Sequence, residues 1–125
     1  MKKYILIVDD EADIRALLLE FLAASGYRVA GATSAAEALQ SVREDKPDLV
    51  ITDLQLEEAD GLQMVSRLKV ALPDTPVILL TGVLFDHDVV HGVLNKKVDC
   101  YLEKTSSLKQ ILEAIQRLLG QPGPA

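Results

Sequence analysis

The sequence predicts an α/β domain in which a parallel sheet of five strands is covered by helices on both faces, giving three layers. Strand-like and helix-like patterns alternate along the 125 residues without a break, and this alternation is typical of parallel strands joined by helical crossovers. The strand-like segments are also almost continuously apolar, as expected for strands that are buried on both sides. The length suits one domain.

The first strand and the first helix lie close together near the amino terminus. The apolar run "YILIV" from Tyr4 to Val8 predicts a buried strand. The helix after it has apolar residues at the spacing of one helical face. These residues are Ile14, Leu17, Leu18, Phe21 and Leu22. Gly26 is expected to end the helix.

The second and third strands enclose a capped helix. "YRVAGA" predicts a short second strand, and Ser34 with Glu37 three residues later has the capping-box arrangement of a helix start. Pro47 stops this helix. "DLVITD", which ends at Asp53, predicts a third strand that is rich in β-branched residues and buried on both faces.

The second half of the chain continues the alternation. A polar loop precedes Gly61, which introduces the third helix, and "VILLT" predicts the fourth strand. A weaker helical pattern covers residues 86–95, and "VDCYLEK" predicts the fifth strand. The last helix has one apolar face, and Ser107 with Gln110 can cap its start. The tail "GQPGPA" has nothing to bury.

Composition argues against several classes of function. The net charge of −6, with no basic run to offset it, argues against direct binding of nucleic acid. No segment approaches the roughly 18 apolar residues of a membrane span, and the first apolar run is too short for a signal peptide. Cys100 is the only cysteine, so the chain has no disulfide framework. We therefore expect a cytoplasmic location.

Polar side chains stand at the ends of four predicted strands. Asp9 and Asp10 follow the first strand, and Asp53 ends the third. Thr81 ends the fourth strand, and Lys104 ends the fifth. In open sheets of this kind, ligands bind outside the carboxyl ends of the strands. We therefore expect these five side chains to share one edge of the sheet.

This set of groups suits a divalent cation and a phosphoryl group in one pocket. Mg²⁺ typically takes one or two carboxylates together with water and phosphate oxygens. Lys104 would balance the remaining negative charge, and Thr81 would donate to a phosphoryl oxygen. An aspartate can then act as the nucleophile and form an acyl phosphate. Asp53 is the best candidate, because it is central in chain order and is followed by a loop.

Four segments carry a resemblance to a known family. "VDDE", "DLVITDLQLEEADGLQ", "VILLTG" and "DCYLEK", in this order and spacing, resemble the receiver domain of bacterial two-component response regulators. The resemblance implies a flavodoxin-like (βα)5 fold with strand order 2-1-3-4-5. It covers nearly the whole chain, so residues 1–120 are expected to form the receiver domain. Residues 121–125 would then be a tail or the start of a linker.

The resemblance also implies which residues hold a Mg²⁺ cofactor. Asp53 matches the phosphoacceptor of the family, and Asp10 with Asp53 matches the direct metal ligands. Asp9 matches the acid that holds the metal through water. The backbone carbonyl of Gln55 matches the remaining protein ligand.

Signal transfer follows from the same resemblance. Thr81 and Lys104 match the residues that contact the phosphoryl group, and Tyr101 matches an aromatic residue that turns inward when Thr81 shifts. A sensor histidine kinase or a phosphotransfer protein would supply the phosphoryl group, and a downstream effector domain or protein would read the result. The face formed by the fourth helix, the fifth strand and the last helix would switch, and it could pair two copies in a homodimer. Such a domain would catalyse only its own phosphorylation and dephosphorylation.

Other interpretations of the same residues stay open. Glu11 better fits the first turn of a helix, where the helix dipole favours acidic side chains. His87 and His91 have the i, i+4 spacing of a zinc site, although no third ligand stands out. A haloacid-dehalogenase-type phosphatase would carry a second aspartate where Gln55 follows Asp53. The remaining alternative is a receiver-like binding module that is never phosphorylated.

Overall fold

The computed structural model describes residues 2–53, 55–56, 59–81, 100–103 and 106–119, with the backbone alone at 55–56, 59–65, 81 and 101. The predicted α/β architecture is confirmed in these residues. The strands are β1 (Tyr4–Val8), β2 (Arg28–Ala32), β3 (Leu49–Thr52), β4 (Gln55–Leu56), β5 (Ala59–Asp60), β6 (Val77–Thr81) and β7 (Cys100–Glu103). The helices are α1 (Ala12–Ala24), α2 (Ala35–Glu44), α3 (Gly61–Ala71) and α4 (Leu108–Leu119).

Five of the strands form one parallel sheet in the order β2-β1-β3-β6-β7. Numbered along the chain without the two short strands β4 and β5, this is the expected order 2-1-3-4-5. The chain places β2 on one side of β1 and then returns to place β3 on the other side. Such a change of direction opens a crevice at the carboxyl ends of the two strands that flank it. By this rule, the ends of β1 and β3 are where a binding site is expected in this fold.

Side chains of β1 alternate between two apolar clusters, one on each face of the sheet. Leu6 and Val8 pack with residues of α2 and α3, whereas Ile5 and Ile7 pack with residues of α1 and α4. Every residue of β1 and of β3 is buried. This burial explains why these two strands are apolar except for Thr52 at the end of β3, and the clusters on the two faces confirm the three layers.

The end of α1 explains the role of Gly26. Its backbone has a φ of 102°, a left-handed conformation that glycine adopts without steric strain. The amide of Gly26 donates to the carbonyl of Ala23 at 3.2 Å, and that of Tyr27 donates to Leu22 at 3.1 Å. These two bonds form a Schellman motif, which satisfies carbonyls at the end of the helix. Tyr27 then leads directly into β2.

Both predicted helix caps are present. The hydroxyl of Ser34 accepts from the amide of Glu37 at 3.2 Å at the start of α2. At the start of α4 the cap is reciprocal. The hydroxyl of Ser107 accepts from the amide of Gln110 at 3.1 Å, and the side chain of Gln110 accepts from the amide of Ser107 at 2.9 Å.

The segment after β3 differs from the polar loop that the sequence predicts. Gln55 pairs with Asp60 and Leu56 with Ala59, so that β4 and β5 form a two-stranded antiparallel sheet. Backbone hydrogen bonds form such a pair without an apolar alternation, which is why the sequence pattern does not reveal it. The helix predicted over residues 86–95 lies outside the described residues. No helix in the described part of the chain is long and apolar enough to span a membrane.

Candidate functional site

The register of the sheet brings the ends of β1 and β3 side by side. Val8 and Thr52 are paired, so the next residue on each strand, Asp9 and Asp53, stands at the same edge. The amide of Asp53 donates to the carbonyl of Val8 at 3.1 Å, and the amide of Asp9 donates to that of Ala32 at 3.1 Å. The backbone at both aspartates is therefore fixed by the sheet itself.

Three of the predicted carboxylates converge at this edge. One oxygen each from Asp9, Asp10 and Asp53 lie within 4.8 Å of one another. Asp9 is 2% exposed and Asp53 is 4% exposed, whereas Asp10 is partly exposed. At 4.8 Å, two carboxylate charges repel by about 3.5 kcal/mol at an effective dielectric near 20. A cation bound by the three carboxylates would offset this repulsion.

The donor set fits a hard divalent cation. All three side chains offer carboxylate oxygens, and Asp10 is partly exposed to solvent. Mg²⁺ prefers oxygen ligands of this kind and keeps several water molecules when it binds. Asp9, Asp10 and Asp53 are therefore the described residues that could hold Mg²⁺.

The loop between β1 and α1 is held by hydrogen bonds to Asp9. The Oδ1 atom of Asp9 accepts from the amide of Glu11 at 2.9 Å, and its backbone carbonyl accepts from Nη1 of Arg15 at 2.7 Å. Glu11 is exposed and is the N-cap residue of α1. This position agrees with the helix-start interpretation of Glu11. Arg15 was missed from the sequence, because it binds a backbone carbonyl and belongs to no motif.

The remaining predicted residues are described only in part. The backbone of Thr81 ends β6, which lies next to β3, and it is paired with Glu103 at the end of β7. Both strand ends therefore point to the edge that carries the carboxylates. Lys104 lies outside the described residues, as do the side chains of Gln55, Thr81 and Tyr101. Their predicted roles stay predictions.

The predicted zinc pair lies outside the part of the chain that the structure describes. His87 and His91 both fall between residues 81 and 100. Among the described residues, the group of acids at the ends of β1 and β3 is the arrangement that could hold a metal ion.

Comparison with known proteins identifies the family. A family model described as the response regulator receiver domain matches residues 5–116. The chain belongs to this family. As a receiver domain it has the predicted flavodoxin-like fold, and the match favours the two-component assignment over the phosphatase alternative. The position of the carboxylates at the switch in strand order agrees with it.

Individual relatives support the same assignment. The receiver domain is 35% identical over 119 residues to the transcriptional regulatory protein PrrA of Mycobacterium tuberculosis, which is 95% of this chain and 51% of PrrA. It thus spans about half the length of this relative. A CheY-like receiver domain protein from Methanospirillum hungatei superposes with a TM-score of 0.87 at 28% identity, covering 94% of this chain and 93% of that one.

One solved relative bears on the metal. The response regulator TrrA of Thermotoga maritima, solved in complex with Mg²⁺ and beryllofluoride, has a TM-score of 0.83 and 32% identity. The match covers 94% of this receiver domain and 99% of that chain.

Proposed function

We propose that this receiver domain accepts a phosphoryl group on Asp53, in the presence of Mg²⁺, from a sensor histidine kinase or a phosphotransfer protein. The observation that carries the proposal is the convergence of three carboxylates at the ends of β1 and β3 in a chain of the receiver family. The Mg²⁺ complex of TrrA supports it by similarity. Two of the three carboxylates are buried, so an anionic donor could not approach them without compensation by positive charge.

The metal would be held by Asp10 and Asp53 directly, by Asp9 through water and by the backbone carbonyl of Gln55. When bound, Mg²⁺ would neutralise the carboxylates and the oxygens of the incoming phosphoryl group. The protein's own contribution is to hold the carboxylates in place. The sheet fixes the backbone of Asp9 and Asp53, and the amide of Glu11 orients the carboxylate of Asp9.

The group transfer itself would take place at Asp53. A carboxylate oxygen of Asp53 forms a bond to phosphorus while the bond from phosphorus to the donor's histidine nitrogen breaks. The electron pair of that bond returns to the imidazole, and an acyl phosphate remains on the protein. Thr81 would donate a hydrogen bond to a phosphoryl oxygen, and Lys104 would balance its charge. Attack by water at phosphorus would later release inorganic phosphate and restore the carboxylate, so the domain acts only on itself.

The signal would be passed on at the β7 edge of the sheet. Thr81 stands at the end of β6, and Tyr101 lies in the neighbouring strand β7. Movement of the Thr81 hydroxyl towards the phosphoryl group would open space for Tyr101 to turn inward. The face that includes β7 and α4, together with the helix predicted over residues 86–95, would therefore switch. The same face could pair two copies of the domain.

The match to PrrA bears on what this receiver domain controls. PrrA is a transcriptional regulatory protein, and this receiver domain matches about half of it. We therefore propose that residues 1–120 form a receiver that controls an effector domain or a separate effector protein, without contacting nucleic acid itself. Residues 121–125 would be a tail or the start of a linker. A cytoplasmic location fits a partner of a kinase.

Intact-protein mass spectrometry tests the proposal. The chain is incubated with acetyl phosphate, with Mg²⁺ or with a chelator, alongside Asp53→Asn and the matched surface control Glu113→Gln. Wild type and the control should gain one phosphoryl group only with Mg²⁺, and Asp53→Asn should gain none. Equal labelling of Asp53→Asn would refute the choice of Asp53. A wild type without any label, also with a histidine phosphotransfer donor, would instead indicate a binding module that is not phosphorylated.

A further inference from the structure

Arg15 connects α1 to the backbone of the carboxylate cluster. It lies in the first turns of α1, is half-buried, and donates from Nη1 to the carbonyl of Asp9 at 2.7 Å. That carbonyl belongs to the peptide unit that joins Asp9 to Asp10. Because a peptide unit is planar, fixing its carbonyl also fixes the two Cα atoms that it joins.

Gly31 of β2 leaves the space through which the side chain of Arg15 passes. A Cβ atom at Gly31 would lie 3.1 Å from Cδ of Arg15 and 3.2 Å from Cδ1 of Leu19, closer than ordinary van der Waals contact. The backbone does not itself require glycine here, because among the described residues only Gly26 has a positive φ. The aliphatic part of the Arg15 side chain thus lies against the space that a side chain at Gly31 would fill.

We propose that Arg15 is a positioning residue that sets the direction of the Asp9 and Asp10 carboxylates. This proposal rests on the proposed metal site. The amide of Asp9 is bound to Ala32, and the Asp9 carboxylate is bound by the amide of Glu11. The bond from Arg15 adds the third constraint, on the peptide between the two acids. Gly31 has an indirect part, because it lets the guanidinium reach that peptide.

If Arg15 acted only through its charge, its removal would change Mg²⁺ binding in the direction opposite to that expected for the loss of a positioning contact. Near three carboxylates, a guanidinium charge repels a second cation, so its removal would tighten the binding of Mg²⁺. Loss of a positioning contact would weaken the binding instead. Removal of such supporting contacts typically lowers metal affinity by about 10- to 100-fold. The sign of the change therefore separates the two roles.

Calorimetric titration of the chain with Mg²⁺ alone tests the proposal. Arg15→Met should raise the Kd for Mg²⁺ by about 10-fold or more. Arg43→Met removes the same charge from an exposed position on α2 and should leave the Kd within about twofold of wild type. Arg15→Lys keeps the charge but loses the planar fork of the guanidinium, so its Kd should also rise. A Kd for Arg15→Met that is unchanged or lower would overturn the proposal.

A second pair of variants tests the link to Gly31 and does not depend on Arg15→Met being well folded. Gly31→Ala should weaken Mg²⁺ binding several-fold, because the new methyl group displaces the stem of Arg15. In the background of Arg15→Ala, the same change at Gly31 should have little further effect. Equal effects of Gly31→Ala in both backgrounds would show that it does not act through Arg15. The thermal midpoint of each variant in chelator shows whether it is folded.

These titrations are separate from the test of phosphorylation. If wild type binds Mg²⁺ but takes no phosphoryl group, the proposed function fails and the role of Arg15 can still be measured. If wild type is phosphorylated and Arg15→Met binds Mg²⁺ as tightly as Arg43→Met, only the role of Arg15 fails. If wild type does not bind Mg²⁺, both fail.

Discussion

Replacement of Asp53 by asparagine should stabilise the metal-free protein. The three carboxylates lie within 4.8 Å of one another, and Asp53→Asn removes two of the three repulsive pairs while keeping the side-chain volume. Each pair at that distance is worth about 1 kcal/mol in a water-like dielectric and about 3.5 kcal/mol at an effective dielectric of 20. Taking the lower value for both pairs, we expect a gain of at least about 2 kcal/mol in the free energy of unfolding. For a domain of this size that is a rise of roughly 8 °C in Tm.

Mg²⁺ should reduce this difference in stability between the variant and wild type. An ion that binds only the folded state at about 100 times its Kd adds about 2.7 kcal/mol to wild type. Asp53→Asn has lost one of the proposed ligands and should gain less. The advantage of the variant should therefore shrink or disappear as Mg²⁺ is added.

Urea unfolding near neutral pH, in chelator and in saturating Mg²⁺, measures both effects. Glu113→Gln is the matched control, because it makes the same change in net charge at an exposed site on α4. Its free energy of unfolding should change by less than about 0.5 kcal/mol in either buffer. If Asp53→Asn gains no more than this control in chelator, or keeps its gain in saturating Mg²⁺, the explanation by carboxylate repulsion is wrong.

Four further predictions concern the metal site, the core residue Tyr27 (two of the four) and the switch. Asp10→Ala should weaken Mg²⁺ binding far more than Glu11→Ala in a calorimetric titration, and equal losses would show that the ligands are misplaced. The hydroxyl of Tyr27 is buried with no hydrogen-bond partner among the described residues, so Tyr27→Phe should raise the free energy of unfolding by about 1 kcal/mol. Burial also raises the pKa of Tyr27 above 10.0, which favours the neutral hydroxyl in the folded state, so wild type should lose more stability than Tyr27→Phe as the pH rises beyond 10.0. Urea unfolding at neutral and alkaline pH measures both effects of Tyr27→Phe. If wild type and Tyr27→Phe lose the same stability at alkaline pH, the prediction from the raised pKa is wrong. Amide exchange with a beryllofluoride mimic should change mainly in residues 86–95, β7 and α4, whereas uniform protection would argue against a local switch.

The fold was predictable because its signals are local. Apolar runs such as that of β1 and the caps at Ser34 and Ser107 need only neighbouring residues, and each is present as expected. The order of the strands was not predictable from local signals, because the apolar runs of β1, β3 and β6 resemble one another. Alternation alone predicted parallel strands, and the order came from the family resemblance.

The site was predictable to the extent that strand ends define it. Asp9, Asp10 and Asp53 converge because their strands are neighbours in register, and the sequence places each of them at a strand end. Arg15 was not predictable, because its partner is a backbone carbonyl that every residue possesses. The β4–β5 pair was missed for the same reason, since backbone hydrogen bonds between pairs of residues define it.

The position of the carboxylates along the chain has a consequence for the rate of folding. All three stand at the ends of β1 and β3, and the pairing of these strands joins residues 44 positions apart, as in Val8 with Thr52. The other pairings of the sheet join residues only 22 to 27 positions apart, so β1 and β3 close the longest loop and pay the largest loop-closure entropy. Charge repulsion among the acids therefore opposes the pairing that is already the slowest to form. A cation that relieves it should speed refolding in stopped-flow experiments as well as slow unfolding.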